Sequence, residues 1–360
     1  MRVGFLGGGQ LARMMGLAGY PLGLQFRCLD PNPESPAADV MEHIQAPLND
    51  PDALRQFSHG LDCITIESEN IPVATLENLL LHGSKINPGI KALATSQDRL
   101  YEKNTFQKLG IPTADFTNIA SREELENAVR TRGGAFILKT RREGYDGKGQ
   151  FRIKSPADVD AAWAALGGRD LILEKWLTFD AECSLISVRD PQGNTRFYPL
   201  VHNVHKDGIL FTTEPWTAFS NKDLQSKAEA YAQKVMQELD YVGVLTIEFF
   251  VMNEDLVANE MAPRVHNSGH WTIEGAYTSQ FENHLRAIMG LPLGSTALRE
   301  PFTMINVISQ MPESSRLLGI DGLCLHDYRK KAAPKRKLGH ITLLRPSQDK
   351  YDSIIRQLGH

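Results

Sequence analysis

The chain has 360 residues, 42% of them hydrophobic, with 39 Lys and Arg against 43 Asp and Glu and a net charge of −4. That length exceeds what one core fills, so two or three domains are expected, and the mild negative balance excludes a global attraction to nucleic acid or to acidic membranes. Four scattered cysteines, Cys28, Cys63, Cys183 and Cys324, form no C-x-x-C pair, which argues against a metal knuckle or a secreted disulfide framework and fits a reducing cytoplasm. The opening "MRVGFLGGGQ" has too short an apolar run for a signal peptide, and no stretch reaches transmembrane length, so neither export nor membrane insertion is expected.

"RVGFL" at 2–6 reads as a buried strand, followed by a tight turn into a helix with Leu11, Met14, Met15 and Ala18 at helical spacing. A second strand ends at Asp30 and a third at Glu67. A helix near Pro72 then leads to a short "SKIN" strand. Alternating β and α of this kind predicts an open parallel α/β sheet over residues 1–95. From Ser96 the texture changes to α+β. "SQDRLYEKNTFQKLG" reads as a helix capped by Ser96 and stopped at Gly110, and "SREELENAVRTRGG" carries a capping box of Ser121 with Glu124. Strand "AFILK", a glycine loop, strand "QFRIK", a helix opened by "SPAD" and strand "DLILEKW" make a smaller unit over about 113–177. A hairpin turning at "DPQGN" follows, then a long amphipathic helix from Lys222 to Leu239 and the strands "VGVLTIEFFV" and "DLVANEM". After residue 298, short β-like runs around a basic turn suggest a small C-terminal β-rich unit, 299–360.

Three constellations could carry chemistry. "GYDGKGQ" at 144–150 puts three glycines, an aspartate and a lysine directly after a strand ending in Lys139. Glycines this dense let backbone N–H groups close around an anion, and Lys139 with Lys148 could reach phosphates from the other side. The loop lacks the hydroxyl that would follow the lysine of a P-loop, so its metal must be held elsewhere. Glu248 and Glu260 supply such a place: they lie on successive strands around the turn "VMNED", and if those strands pair, two hard oxygen ligands stand side by side for Mg²⁺. Directly beyond comes "APRVHNSGHW", in which Arg264, His266, Asn267 and His270 crowd polar groups beside that metal. A rival reading rests on Gly7, Gly9 and Ala12 after the first strand, with Asp30 lying 21 residues beyond Gly9, the spacing of a dinucleotide site for NAD.

"LKTRREGYDGKGQ", "LILEKWLTFDAECS", "FYPLVHNVHKDGIL" and "ANEMAPRVHNSGHW" together resemble the ATP-grasp enzymes of purine biosynthesis, over nearly the whole chain. The resemblance implies an ATP-grasp fold: a preATP-grasp domain at 1–95, an ATP-grasp domain at 96–298 and a small C-terminal domain at 299–360. It implies ATP- and bicarbonate-dependent carboxylation of 5-aminoimidazole ribonucleotide through carboxyphosphate, with Mg²⁺, in a homodimer. Arg99, Lys139, Gly144, Tyr145, Asp146, Gly147, Lys148, Gly149 and Gln150 would then contact ATP. So would Glu174, Lys175, Trp176 and Leu177 near adenine, Glu182 on the ribose, His205, Asn259 and Glu260. Glu248 and Glu260 would hold the metal. Arg264, His266 and Asn267, with Asp146 and Lys148, would surround bicarbonate and carboxyphosphate, under a glycine loop acting as a lid. Gly8, Gly9, Gln10, Glu69, Tyr145, Lys330 and Arg336 would surround the ribonucleotide, its phosphate at the start of the first helix. Whether Lys330, Arg336 or Lys337 meets that phosphate, and whether Glu67 or Glu69 faces the substrate, stays open. The nearest alternative is a sister ligase that uses formate or an amino-acid carboxylate.

Overall fold

The computed structural model describes residues 1–144, 149–216 and 223–359. Four short strands, β1 (Arg2–Leu6), β2 (Gln25–Leu29), β3 (Glu42–Ile44) and β4 (Cys63–Ile66), pair in parallel in the order β3-β2-β1-β4. Helices α1 (Gln10–Gly19), α2 (Pro51–Ser58) and α3 (Val73–Leu81) alternate with them, the open α/β sheet that the sequence predicts. β1 and β4 are almost wholly buried, as strands covered on both faces must be. "SKIN" contributes only a single bridge, Ile86 to Ile64, instead of a strand.

The helix expected from Ser96 is α5 (Arg99–Lys108), which starts three residues later, and a separate helix, α4 (Ile90–Ser96), precedes it. Ser96 belongs to α4, its hydroxyl donating back to the Leu93 carbonyl at 3.1 Å, and the true cap of α5 is Asp98, which accepts from the Leu100 N–H at 3.0 Å. A charged acceptor at that position also suits the positive end of the helix. Around α6 (Arg122–Arg132) and α7 (Val159–Leu166), strands β5 (Phe116–Ile119), β6 (Phe136–Thr140), β7 (Gln150–Ile153) and β8 (Leu171–Lys175) form an antiparallel sheet, order β5-β8-β6-β7, with its own core. Ser121 caps α6 by accepting from Glu124 N–H, and Glu124 returns the bond to Ala120 N–H, one residue before the cap.

The remaining strands are β9 (Ala181–Arg189), β10 (Thr195–Phe197), β11 (Val201–Lys206), β12 (Ile209–Pro215), β13 (Gly243–Met252), β14 (Asp255–Ala262), β15 (Phe302–Ile308), β16 (Leu323–Asp327) and β17 (Lys337–Leu344). They make one sheet, order β14-β13-β9-β11-β12-β15-β17-β16, with β10 on β9. The C-terminal strands therefore extend this sheet through β12–β15 pairing while keeping a small core of their own. Helix α8 (Asp223–Glu238) covers one face of it, and α9 (Thr272–Gly275) and α10 (Gln280–Met289) cover the other.

α10 also carries His284, which ties this sheet to the N-terminal one. Val244 N–H donates to its Nδ1 at 3.1 Å, so its proton sits on Nε2, facing Thr65 Oγ1 at 2.9 Å. Burial lowers its pKa to about 4 and keeps it neutral at physiological pH. Trp271 stacks on Phe302 at 4.2 Å, a contact of about 0.5–1.5 kcal/mol beyond area burial, and so fixes the "HNSGHW" loop against β15. No helix among the described residues is long and apolar enough to cross a membrane.

Candidate functional site

The β1–α1 turn holds its own carboxylates. Asp30 accepts from Gly8 N–H at 2.7 Å and from Asn32 N–H at 2.7 Å, while Glu67 accepts from Leu11 N–H at 3.3 Å. Gly7 has φ of 90°, and a Cβ at Gly9 would collide with the Glu67 carboxylate, so the glycines admit an acid at the start of α1. Burial pushes Glu67 up to about 7, with Leu11 N–H and Arg264 opposing and Asp30 adding to the rise. Of the turn Gly8-Gly9-Gln10, which the sequence reading reserves for a phosphate, the Gly8 amide is thus occupied from within the protein, as is the Leu11 amide next to it, and so is the Asp30 carboxylate that a dinucleotide ribose would need. Gln10 points the other way and accepts from Lys330 Nζ at 3.2 Å.

Beside that turn, a cleft of about 580 Å³ runs between residues 32–39 and the basic turn near 329–336; its lining includes Ser35, Lys330, Lys331 and Arg336. Lys331 pairs with Glu34 at 2.6 Å, and Arg336 donates to the Lys331 carbonyl at 3.1 Å.

β13 and β14 do pair, with Glu248 directly opposite Glu260. Like charges placed opposite one another repel. Here each has a partner: Arg99 meets Glu260 at 2.8 Å and His266 Nε2 meets Glu248 at 3.1 Å. Burial opposes ionisation of Glu248, but His266 and His205 hold its carboxyl well below the usual range. His205 itself pairs with Glu182 at 2.7 Å and is raised by it against the cost of burial. Two carboxylates on one face suit a hard divalent cation. Among the described residues no cluster of three His, Cys, Asp or Glu could enclose one.

Behind the hairpin lies a packed set of charges. Lys139 at the end of β6 and Lys103 on α5 reach Glu174 on β8 at 3.0 and 3.3 Å, with Glu174 only 3% and Lys103 1% exposed. Burial works against Glu174, yet Lys139, Lys103 and Arg99 hold it at about 2. Desolvation lowers Lys139 in turn, and Glu174 resists the change. Just beyond Glu174, the Trp176 backbone N–H donates to Ala135 O at 2.9 Å and its ring carries Arg152 at 3.8 Å; Lys175 and Leu177 flank it at the end of β8. Arg99 also donates to the Gly144 carbonyl at 3.1 Å, joining the base of the glycine loop to the β13–β14 hairpin. At the loop's other end, Gly149 has φ of 68° and a Cβ there would lie 2.6 Å from Thr140 Oγ1, so glycine is required; Gln150 pairs with Lys139 across β6–β7. Tyr145, Asp146, Gly147 and Lys148 lie outside the described residues.

Arg264 forms a two-pronged pair with Glu69, one bond through Nε and one through Nη2 at 2.8 Å. Burial opposes this carboxyl too, but Arg264 holds Glu69 at about 2. The two glutamates near the end of β4 are thereby told apart: Glu67 folds onto the glycine turn and Glu69 faces Arg264. Asn267 is turned toward the C-terminal strands, exchanging amide hydrogen bonds of 2.9 Å with Asn306 and approaching His270 at 3.1 Å. His270 continues through Tyr328 OH at 2.8 Å to His340 at 2.9 Å.

Sequence reasoning missed Lys103, Glu102 and Ser35. Glu102 is 2% exposed and accepts from Met261 N–H at 2.6 Å. Burial, with Glu260 adding, pushes it up to about 8. The one available signal was the i, i+3, i+4 spacing of Arg99, Glu102 and Lys103, which puts them on one face of α5.

Comparison with known proteins gives three adjoining domain matches: the ribonucleotide synthetase preATP-grasp domain over residues 1–97, the ATP-grasp domain over 104–281 and the phosphoribosylaminoimidazole carboxylase C-terminal domain over 303–353. The chain is 48% identical over 343 residues to the N5-carboxyaminoimidazole ribonucleotide synthase of Pseudomonas aeruginosa, spanning 95% of this chain and 94% of that protein. Against the Brucella melitensis protein of the same name it is 43% identical, spanning 96% of each. The crystal structure of the synthetase from Thermus thermophilus superimposes with a TM-score of 0.94 at 48% identity, covering 99% of both chains. That of the Aspergillus clavatus synthase, in complex with ADP and 5-aminoimidazole ribonucleotide, superimposes with a TM-score of 0.90 at 32% identity, covering 100% of this chain and 99% of that one.

Proposed function

The chain belongs to the N5-carboxyaminoimidazole ribonucleotide synthase family of ATP-grasp ligases, and from that premise we infer which of its groups carry each part of the reaction. The activity is ATP-dependent carboxylation of the exocyclic amine of 5-aminoimidazole ribonucleotide, in purine biosynthesis, with release of ADP and phosphate. We take bicarbonate as the carbon source. A bicarbonate oxygen attacks the γ-phosphorus, the bond to ADP breaks, and carboxyphosphate forms. It splits into phosphate and carbon dioxide, and the amine adds to the carbon and loses a proton.

The observation that carries this assignment is the opposed pair Glu248–Glu260 beside Arg99 and the Lys139–Glu174–Lys103 cluster. Magnesium held by Glu248 and Glu260 would neutralise charge on the transferring phosphoryl group. Lys139 and Arg99 supply preorganised positive charge on the phosphate side, and Glu182 with His205 lies along the neighbouring strands for the ribose. Arg264, oriented by Glu69, serves the carboxyphosphate, and Glu69 serves the ribonucleotide, so one ion pair joins the two halves of the reaction. His266 bridges the same region to Glu248. Asp146, Lys148 and Tyr145 keep the roles that the resemblance implies.

Because the carboxylates of Asp30 and Glu67 take amides at the α1 turn, the ribonucleotide's phosphate belongs in the adjoining cleft, against Lys330, Arg336 and Ser35, with Gln10 at its rim. The chain acts as a homodimer in a reducing cytoplasm, which suits its four unpaired cysteines.

The test is a coupled assay of ADP release. Release should require both the ribonucleotide and bicarbonate together. Formate supporting the same turnover would replace this reading with the sister ligase, and NAD binding that is lost in Asp30→Ala would bring back the dinucleotide site.

A further inference from the structure

β14 is an edge strand: among the described residues its ladder partner is β13 alone. It also carries a bulge, since Glu248 opposes Glu260 while the next residue, Phe249, opposes Ala258, leaving Asn259 as the extra residue. Edges and bulges leave backbone groups without ladder partners, and a bulge re-aims the side chain next to it. In this strand the re-aimed side chain is Glu260.

The loose groups on either side of Glu260 do not go to solvent. Lys103 Nζ donates to the Asn259 carbonyl at 3.1 Å, and Glu102 Oε1 accepts from the Met261 N–H at 2.6 Å. Consecutive residues of α5 thus offer one donor and one acceptor, the pair that a neighbouring strand would present. One turn back, Arg99 reaches the Glu260 carboxylate itself at 2.8 Å. Two residues before Glu260 the same edge is closed by Ala258 N–H donating to the Pro112 carbonyl at 2.7 Å.

We propose that Glu102 and Lys103 are positioning residues that act as a substitute edge strand, fixing the bulged backbone around Glu260 so that its carboxylate faces Glu248 in the geometry Mg²⁺ requires. Mg²⁺ tolerates little departure from octahedral geometry, and groups that orient a ligand typically affect metal affinity or activity by about 10–100-fold. Lys103 adds a second link, since its ammonium also touches Glu174 at 3.3 Å; one side chain couples the metal hairpin to the nucleotide pocket. This inference rests on the reading of Glu260 as a metal ligand.

The experiment measures turnover against free Mg²⁺, and against each substrate, for the full-length protein and four variants. Glu102→Leu and Lys103→Met remove the acceptor and the donor; Glu102→Gln keeps an oxygen facing Met261 N–H; Glu260→Gln tests the underlying reading. For Glu102→Leu and Lys103→Met, half-saturation by Mg²⁺ should rise by about 10-fold or more while the KM for the ribonucleotide stays within about 2-fold, and Glu102→Gln should restore both values. Unchanged Mg²⁺ dependence in the first two, with Glu260→Gln shifted, overturns the clamp alone. Unchanged dependence in Glu260→Gln overturns the metal reading. Loss of the folded state in both Glu102→Leu and Lys103→Met, followed by thermal unfolding, would also overturn the proposal, making the pair a folding element instead of a positioning one.

Discussion

The glycine turn after β1 and the charge cluster around β14 look alike in composition, since each sets acids beside hydrogen-bond donors in a buried pocket, yet they are built for opposite states. At the turn, Asp30 and Glu67 receive backbone N–H groups of Gly8 and Leu11, and little is left for a ligand to satisfy. At the cluster, Arg99 and Lys139 stand against Glu260 and Glu174, side-chain pairs whose charges an anion with its cation can also satisfy. Fixed backbone donors met by internal acids make a rigid wall. Side-chain charges that can be re-paired make a site. A glycine-rich turn at a helix start therefore does not by itself say that an anion binds there; what matters is which groups already occupy its amides.

The strongest way to break this contrast is to remove charge from the cluster. Glu248→Gln keeps the volume but takes away one of two opposed carboxylates, so kcat should fall by at least about 100-fold, with some loss of thermal stability at neutral pH because the charge that His266 and His205 favour is removed too. Near-normal turnover would mean that the cluster is as inert as the wall.

On the other side of the wall, Arg336→Ala should raise the KM for the ribonucleotide while leaving that for ATP unchanged, because one charge-assisted phosphate contact is worth on the order of 1.5–3 kcal/mol. An effect on ATP alone would move the cleft out of the substrate site. Asp30→Ala should act on stability instead. Leaving the Gly8 and Asn32 amides without their acceptor costs about 1–3 kcal/mol, read as a lowered denaturation midpoint with no change in any nucleotide affinity. A specific loss of substrate binding at full stability would show that the wall is part of the site after all.

Much of this was legible in the sequence, and the failures have physical causes. The parallel strands ending at Asp30 and Glu67, the Glu248–Glu260 hairpin and the lysine that ends β6 follow from local pattern, because period, turn residues and strand length are local quantities. Glu102 and Lys103 were not legible: on a helix, charges at i, i+3 and i+4 normally describe a solvated face. Only the placement of α5 across the bulged edge of β14 buries them. The Arg264–Glu69 pair joins positions 195 apart, which no spacing rule reaches. The α1 turn misled for the opposite reason. Its glycines read as room for a ligand phosphate, but Glu67 of the same chain sits against them, and that depends on β4 lying beside β1.

The smallest expected effect separates the two regions by the sign of a proton. Glu67 and Glu69 lie two residues apart. Burial raises Glu67 from its ordinary 4.5 to about 7, while Arg264, acting against burial, brings Glu69 down to about 2. For Glu67 the folded state binds more protons than the unfolded state between those two values, so its contribution to stability is fully present below about pH 4.5 and is lost as pH rises through about 7. For Glu69 the contribution is present above about pH 4.5 and is lost as pH falls toward 2. Other carboxyls titrate in the same windows, so the useful quantity is the stability difference between variant and parent, measured by denaturant unfolding at each pH. Glu67→Gln keeps an acceptor for Leu11 N–H, and its stability relative to the parent should rise steadily from pH 5 to pH 8. Glu69→Gln should be less stable than the parent at neutral pH, with the gap narrowing as the solution is acidified. A pH-independent difference for Glu67→Gln would mean that this carboxyl is ionised throughout and reaches solvent or a cation, and the turn would then have to be counted with the site and not with the wall.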